Sequence, residues 1–317
     1  MRPAEGGELV LGGQAVIEGV MMKGTGRFAV AVRKQTGEIR VRDFPIAEGV
    51  ARNRLLRMPV VRGVVTMGAM LVIGYKALRF SANEAVEEAE RAEGGERREE
   101  AVRPEGDLAM AAALVLAVLA GVALFFWLPL VLASFAAGAL PALSGRIAFN
   151  LLDGVVRVLV FVAYVAAIGT MKDIRRIFEY HGAEHKVVHA FERKAVLDDP
   201  EAVMAFSRLH PRCGTSFLLF VMVISVGIFS CIPHESSLAV KAGMRLLLLP
   251  AVAGISYEVL RLSAGKSGSG VFRALVAPGL LLQKLTTREP DRSQIEVALA
   301  SFRRAAVPGG KEAAVAG

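Results

Sequence analysis

Residues 108–138 read "LAMAAALVLAVLAGVALFFWLPLVLASFAAG", and no charge interrupts them. A helix needs about 20 consecutive apolar residues to cross the hydrocarbon core of a bilayer. This stretch exceeds that, so it is expected to span a membrane. Three further segments fit the same description. Leu151–Met171 carries Asp153 and Arg157 in its first turns, and Ser216–Ile232 carries no charge. Val240–Leu260 is interrupted by Lys241, Arg245, Pro250 and Glu258. The 317-residue chain is 54% hydrophobic with a mean hydropathy of +0.47. The expected class is a mainly α, polytopic membrane protein of about four transmembrane helices. A small N-terminal β-rich element and a cytoplasmic helical loop complete it.

Outward from the spans, the first 58 residues are short, alternating and punctuated by glycine. Phe28–Lys34 and Glu38–Phe44 flank "QTG" and predict a β-hairpin, with Gln14–Met22 as a third strand. Residues 59–82 form an apolar helix with Arg62, Lys76 and Arg79 near its ends, expected at the interface or packed on the bundle rather than crossing. Residues 83–107 are a charge-dense linker, a solvated helix breaking at Gly94-Gly95 or a disordered segment. Residues 108–260 form the four-helix transmembrane domain. Beyond them, 261–317 hold a re-entrant or interfacial pair of half-helices broken at Pro278-Gly279 and an amphipathic tail. The loop "SAGKSGSG" (263–270) lacks the glycine spacing of a nucleotide loop and reads as a linker.

Basic residues set the orientation. The connection 172–215 carries Lys172, Arg175, Arg176, Lys186, Arg193, Lys194, Arg208 and Arg212, whereas the loop between the first two spans has only Arg146. That connection and both termini are therefore expected on the cytoplasmic side of the cell membrane. The opening residues lack a basic region leading into an apolar stretch, so they do not resemble a secretory signal. A net charge of +8 suits soluble parts beside an anionic leaflet. No aromatic-interleaved basic motif points to nucleic acid. The expected partners are the lipid bilayer and proteins of unspecified identity.

The chemistry concentrates in "YHGAEHKVVHAFE" (180–192), where three of the five histidines recur at steps of four. On a helix those steps place His181, His185 and His189 on one face. "HGAEH" fits H-x-x-E-H, the reversed order of a zinc-protease signature. Two histidines four apart can share a metal while Glu184 reaches its water as general base. Zinc also wants a third protein ligand, and "HPRCG" (210–214) offers His210 and Cys213 on the same side of the membrane. The bland reading, histidines as solvated polar residues beside a membrane, fits His189 best. Cys213 and Cys231 lie at opposite ends of one predicted helix, roughly 27 Å apart at 1.5 Å per residue, so they are not a disulfide. A carboxylate inside an apolar helix marks function by default, and Glu258 near the end of the fourth span could approach the histidine loop. A salt bridge with Arg261 is its structural alternative. Asp153 and Arg157, one turn apart, are expected to pair with each other on the wrong side for this site.

Five stretches, "GGQAVIEGVMMKG" (12–24), "YHGAEHK" (180–186), "HPRCGTSFLL" (210–219), "ISYEVLRL" (255–262) and "LTTREPDRSQIEVA" (285–298), resemble the YqhQ-like family of bacterial membrane proteins. The likeness runs from about residue 9 to 303. That family is described as predicted metal-dependent enzymes built around a domain of unknown function. The resemblance implies a divalent metal, with His181, Glu184, His185, His210 and Cys213 at the matching positions. His189 falls where it implies Asn, and is not carried over. The combined expectation is a zinc-like site of His181, His185, His210 and Cys213, with Glu184 catalytic and Glu258 and Arg212 behind the ligands. The reaction class would be hydrolysis of a lipid-linked or peptide substrate. The rivals are a non-catalytic scaffold or regulator with a structural metal or none, and a transporter using Glu258, Pro250 and the broken 271–285 segment.

Overall fold

The computed structural model describes residues 12–46, 55–92, 104–143, 145–211, 213–233, 236–264 and 270–306. Four antiparallel strands open the chain, β1 (Gly12–Val16), β2 (Gly19–Lys23), β3 (Arg27–Arg33) and β4 (Ile39–Pro45), paired in the order β1-β2-β3-β4. The hairpin of β3 and β4 lies where "QTG" predicts it. The expected single strand Gln14–Met22 is instead two strands joined at Ile17-Glu18. Glu18 makes that turn with φ of +51°, a conformation few non-glycine residues adopt. Its carboxylate is held by Arg176, a partner 158 residues away that local sequence does not reveal.

Both faces of the sheet are covered, which explains the nearly continuous burial of "RFAVAVR" in β3. One face, with Val20, Met22, Ala29 and Ala31, packs on α5 (Lys172–Glu192) and α10 (Arg292–Ala306). The amphipathic stripe of α10, Ile295, Ala298, Leu299 and Phe302, is spent here as protein core rather than on lipid. The other face, with Val16, Met21, Phe28, Val30 and Val32, packs on Ile73, Ala77 and Phe80 of α1 (Val61–Ala92).

That long helix revises the boundary expected at residue 82. Its acidic end does not form a solvated linker, because Glu84 meets Lys34 at 3.4 Å and Arg40 at 3.3 Å, with the Lys34 and Glu84 side chains buried. The expected break at Gly94-Gly95 lies outside the described residues. At its other end α1 crosses α8 (Leu238–Ala264) at a glycine contact. A Cβ on Gly254 would lie 2.5 Å from the Val60 carbonyl oxygen, and one on Gly63 would lie 3.0 Å from the Gly254 Cα.

The apolar bundle contains α2 (Pro104–Val122), which continues through a π-helical turn at Ala123–Trp127 into α3 (Leu128–Ala139), and α4 (Arg146–Ile168). It also contains α7 (Gly214–Phe229), α8 and α9 (Gly270–Thr286). A short α6 (Pro200–Met204) follows α5. Among the described residues, four helices are long and apolar enough to cross a membrane: Val61–Ala89, Ala111–Ala139, Arg146–Ile168 and Leu238–Leu262. The chain is therefore mainly helical, with four candidate spans and a small sheet.

The membership differs from the sequence expectation in two places: residues 59–82, expected not to cross, lie in the candidate span Val61–Ala89, and 216–232 is not among the candidates. The expected span 216–232 is the 16-residue α7, only about 24 Å long at 1.5 Å per residue. The expected pair of half-helices is one helix, α9, which runs straight through Pro278. A proline inside a helix removes a single i to i−4 bond, and packing against α7 and α4 holds the rest.

The glycine crossing is testable. Gly254→Ala forces overpacking that costs about 1–3 kcal/mol, so the thermal midpoint of detergent-purified protein should fall. Gly68→Ala in α1 meets nothing within 4 Å and should hold or raise the midpoint, since alanine outranks glycine in helices by about 1 kcal/mol. Equal effects of the two would contradict the crossing.

Candidate functional site

α4 ends at Ile168, and a turn at Gly169–Met171 hands the chain to α5. The histidine face of α5 therefore begins close to the apolar bundle. The i to i+4 spacing brings the rings of His181 and His185 to 4.4 Å between centroids. Cys213 sits immediately before α7 and places its Sγ 3.4 Å from His181 Nε2. One ligand atom each from His181, His185 and Cys213 lies within 4.8 Å of the others. Between them stands the Glu184 carboxylate, 3.6 Å from His185 Nε2 and 4.0 Å from His181 Nε2.

Backbone carbonyls decide which ring nitrogens face inward. His181 Nδ1–H donates to the Thr286 carbonyl at 2.8 Å, and His185 Nδ1–H donates to the Arg208 carbonyl at 2.5 Å. A carbonyl can only accept, so both Nε2 atoms carry the lone pair. The His185 Nε2 is buried and has no hydrogen-bond partner. Burial also holds both imidazoles below their ordinary pKa, His185 furthest because His181 crowds it. The same burial pushes the Glu184 carboxyl up to about 8, against the pull of the Gly13 amide. Neutral forms are favoured on both sides, so the 3.6 Å approach of Glu184 to His185 is not an ion pair.

Further residues build this arrangement without touching its centre. Gly13 in β1 leaves room for Glu184, since a Cβ there would lie 2.7 Å from its Cγ. Gln283 of α9 is fully buried and clamps His210 twice: Oε1 accepts from the His210 N–H, and Nε2 donates to the His210 carbonyl, both at 2.8 Å. The Cys213 N–H in turn donates to that carbonyl at 3.3 Å. Arg208 donates to the Thr287 carbonyl and hydroxyl at 2.6 Å each, which fixes the carbonyl that His185 uses. The last turn of α9 and the residue after it thus orient His181, His185 and Cys213 alike. Sequence reasoning missed Gln283, Thr286, Thr287, Arg208 and Gly13. Only Gly13 left a signal, in the paired glycines of "GGQ".

Not every expected residue joins the group. The His210 ring lies 5.8 Å from that of His185, outside the group of three, and its Nε2 is 3.2 Å from Glu192. His189 donates from Nδ1 to the Ser207 carbonyl at 2.9 Å. Glu258 is not behind the ligands. It accepts from Arg62 Nε at 2.7 Å and from the Val60 N–H at 3.3 Å, at the α1–α8 crossing. Arg212 lies outside the described residues. Asp153 and Arg157 do pair, at 2.7 Å, and Arg245 joins them. Cys213 and Cys231 are not joined in a disulfide.

A family profile described as "Protein of unknown function (DUF1385)" matches residues 58–307. The chain belongs to that family. It is also similar to the "Uncharacterized protein YqhQ" of Bacillus subtilis (strain 168), with 32% identity over 300 residues, covering 92% of this chain and 90% of the relative. No solved structure matches it. The DUF1385 profile begins at residue 58, after the N-terminal sheet.

The Gln283 clamp can be tested apart from any ligand. Gln283→Leu leaves the buried His210 N–H unpaired and takes one of two bonds from the His210 carbonyl, at about 1–3 kcal/mol, so opening of the 208–213 loop should become easier by about tenfold. Maleimide labelling of Cys213 should accelerate accordingly, with exposed Cys231 as the unchanged internal reference. Unchanged labelling of Cys213 would contradict the clamp.

Proposed function

We propose that this DUF1385 protein is a membrane enzyme that holds a divalent, zinc-like cation with His181, His185 and Cys213 and hydrolyses a substrate at the cytoplasmic face of the cell membrane. One observation carries the reading: a buried His185 Nε2 with no partner faces an Nε2 and a thiol within ligand distance of each other. Leaving a buried polar atom unpaired is costly, and a cation would satisfy it. The donor set fits. Two imidazoles and one thiolate are zinc ligands, and bonds of about 2.0–2.3 Å put neighbouring ligand atoms about 3.5 Å apart in a tetrahedral site. The 3.4 Å between Cys213 Sγ and His181 Nε2 matches that spacing. Nδ1–H bonds to backbone carbonyls are the usual way in which ligating histidines are oriented.

When bound, such a cation supplies a Lewis acid that makes water a nucleophile near neutral pH. The chain supplies the rest. Glu184 is held by the Gly13 N–H beside both Nε2 atoms; the charge of a bound cation would favour its ionised form, which would take a proton from water and return it to a leaving group. The sheet, α5 and α10 exclude bulk solvent from the rear of the group. Cys213 at the head of α7 sets the site at the edge of the apolar bundle. This favours a lipid-linked substrate or a peptide emerging from the membrane. The cytoplasmic assignment rests on the basic residues of 172–215.

A structural site is the second reading, with Glu184 as a fourth ligand closing the shell. We favour Glu184 over His210 in that role, since the His210 Nε2 lies 3.2 Å from Glu192.

Metal analysis of detergent-purified, zinc-equilibrated protein should give one equivalent per chain. Both His185→Ala and Cys213→Ser should lower the affinity by about tenfold to a hundredfold or more. Glu184→Gln separates the readings, since a general base can be lost with metal retained whereas a ligand cannot. Wild-type protein that holds no divalent metal removes the proposal.

A further inference from the structure

By length and hydropathy α1 counts among the candidate spans, yet its contacts lie at one end of the bundle. At its start, the Val60 N–H and Arg62 meet Glu258 near the end of α8. About three turns on, Gly74 lies against Gln14 of β1, and Ile73, Ala77 and Phe80 pack on the sheet. Its acidic end meets Lys34 and Arg40. The other face of that sheet carries α5 with the histidine cluster.

The directions of the other helices agree. α4 and α8 both start at the far end, where Arg245 reaches Asn150 and Asp153. α4 ends beside α5, and α8 brings Glu258 to Arg62. α7 runs the other way, from Cys213 at the histidine cluster to Phe229, whose ring lies 5.2 Å from the Arg245 guanidinium. α3 ends at Ala139, shortly before α4 starts at Arg146, so α2 starts at the histidine end. The sequence between α1 and α2, "EGGERREEAVR" (93–103), carries too much charge to recross a bilayer. Both helices therefore start on the same side, which leaves no crossing for α1.

The outward face of α1 is nonetheless apolar. Val61, Val64, Leu71, Val72 and Leu78 are 36–72% exposed and recur at helical spacing opposite Ile73, Ala77 and Phe80. No acidic residue precedes Glu84 in this helix, whereas Arg62, Lys76 and Arg79 do. An apolar stripe of this extent marks a contact surface. Continuity identifies what covers it: Leu262, one turn beyond Glu258 on the spanning helix α8, is 70% exposed beside the crossing.

We propose that α1 lies flat in the leaflet on the histidine side, a lipid-docking face with Val64, Leu71, Val72 and Leu78 among the acyl chains and the sheet behind it. The stems of Lys76 and Arg79 are long enough to carry their charges to the phosphate level of an anionic leaflet. The short α7 then makes the fourth crossing, with local thinning of the bilayer matching its length. The inference holds with or without a metal at His181, His185 and Cys213.

Tryptophan fluorescence of the full chain in phosphatidylcholine–phosphatidylglycerol vesicles tests this. Trp127→Phe is the background, since the sequence has 1 tryptophan. Val64→Trp, Leu71→Trp and Leu78→Trp should each be quenched more by phosphatidylcholine brominated near the headgroup than by lipid brominated near the chain ends. A crossing helix would instead make Leu71→Trp the deepest of the three, because seven residues rise about 10 Å. No quenching at any of the three would mean that a second copy or another protein covers the stripe. Either result overturns the proposal. Sidedness provides a second measurement that leaves the stripe unaltered. In a Cys231→Ser background, Met58→Cys and Asn83→Cys, both at exposed positions, should react with an impermeant maleimide from the same side of sealed membrane vesicles. Reaction from opposite sides overturns the proposal.

Discussion

Two hydrogen bonds from imidazole Nδ1 atoms to backbone carbonyls, His181 to Thr286 and His185 to Arg208, constrain everything else at this site. Each fixes a tautomer, and each forces an Nε2 lone pair toward the same point. Neither carbonyl belongs to α5. One lies at the end of α9 and the other in the loop before α7, so the histidines are set by segments that arrive from the apolar bundle. Gln283 and Thr287 tie those two segments together. Disturbing the last turn of α9 therefore reaches all three candidate ligands at once.

The fold explains how such a junction is held. The sheet carries α5 and α10 on one face and α1 on the other, and α1 continues to the crossing with α8 at Gly63 and Gly254. Glu258 and Arg62 lock that crossing. The polar residues inside the bundle thus divide into distinct tasks. Glu258 fastens the sheet-bearing body to the membrane helices, while Asp153 organises two arginines near the far end. Neither takes part in the histidine group.

Much of this was legible in the chain before folding. A run such as 108–138 has no alternative to a membrane helix, because its length and lack of charge exceed what a soluble core takes up. His181, Glu184 and His185 were readable because helical spacing is local, and Cys213 because thiols near histidines are distinctive. What stayed hidden was non-local. Glu18 takes its turn conformation without a glycine because Arg176 holds it from α5. His210 has a ligand's chemistry three residues from Cys213, yet Gln283 holds its backbone and its ring lies against Glu192. The acidic stretch after residue 82 reads as solvent-exposed only until Lys34 and Arg40 are placed against it. Backbone carbonyls, which orient the histidines, leave no trace in side-chain identity.

Convergence of α5 and the head of α7 on a single cation is the claim on which the functional reading stands. Zinc K-edge absorption spectroscopy of the loaded, detergent-purified protein addresses it most directly. One sulfur at about 2.3 Å with two nitrogens at about 2.0–2.1 Å is the expected first shell. A shell of oxygen and nitrogen without sulfur would place the metal elsewhere and contradict the account.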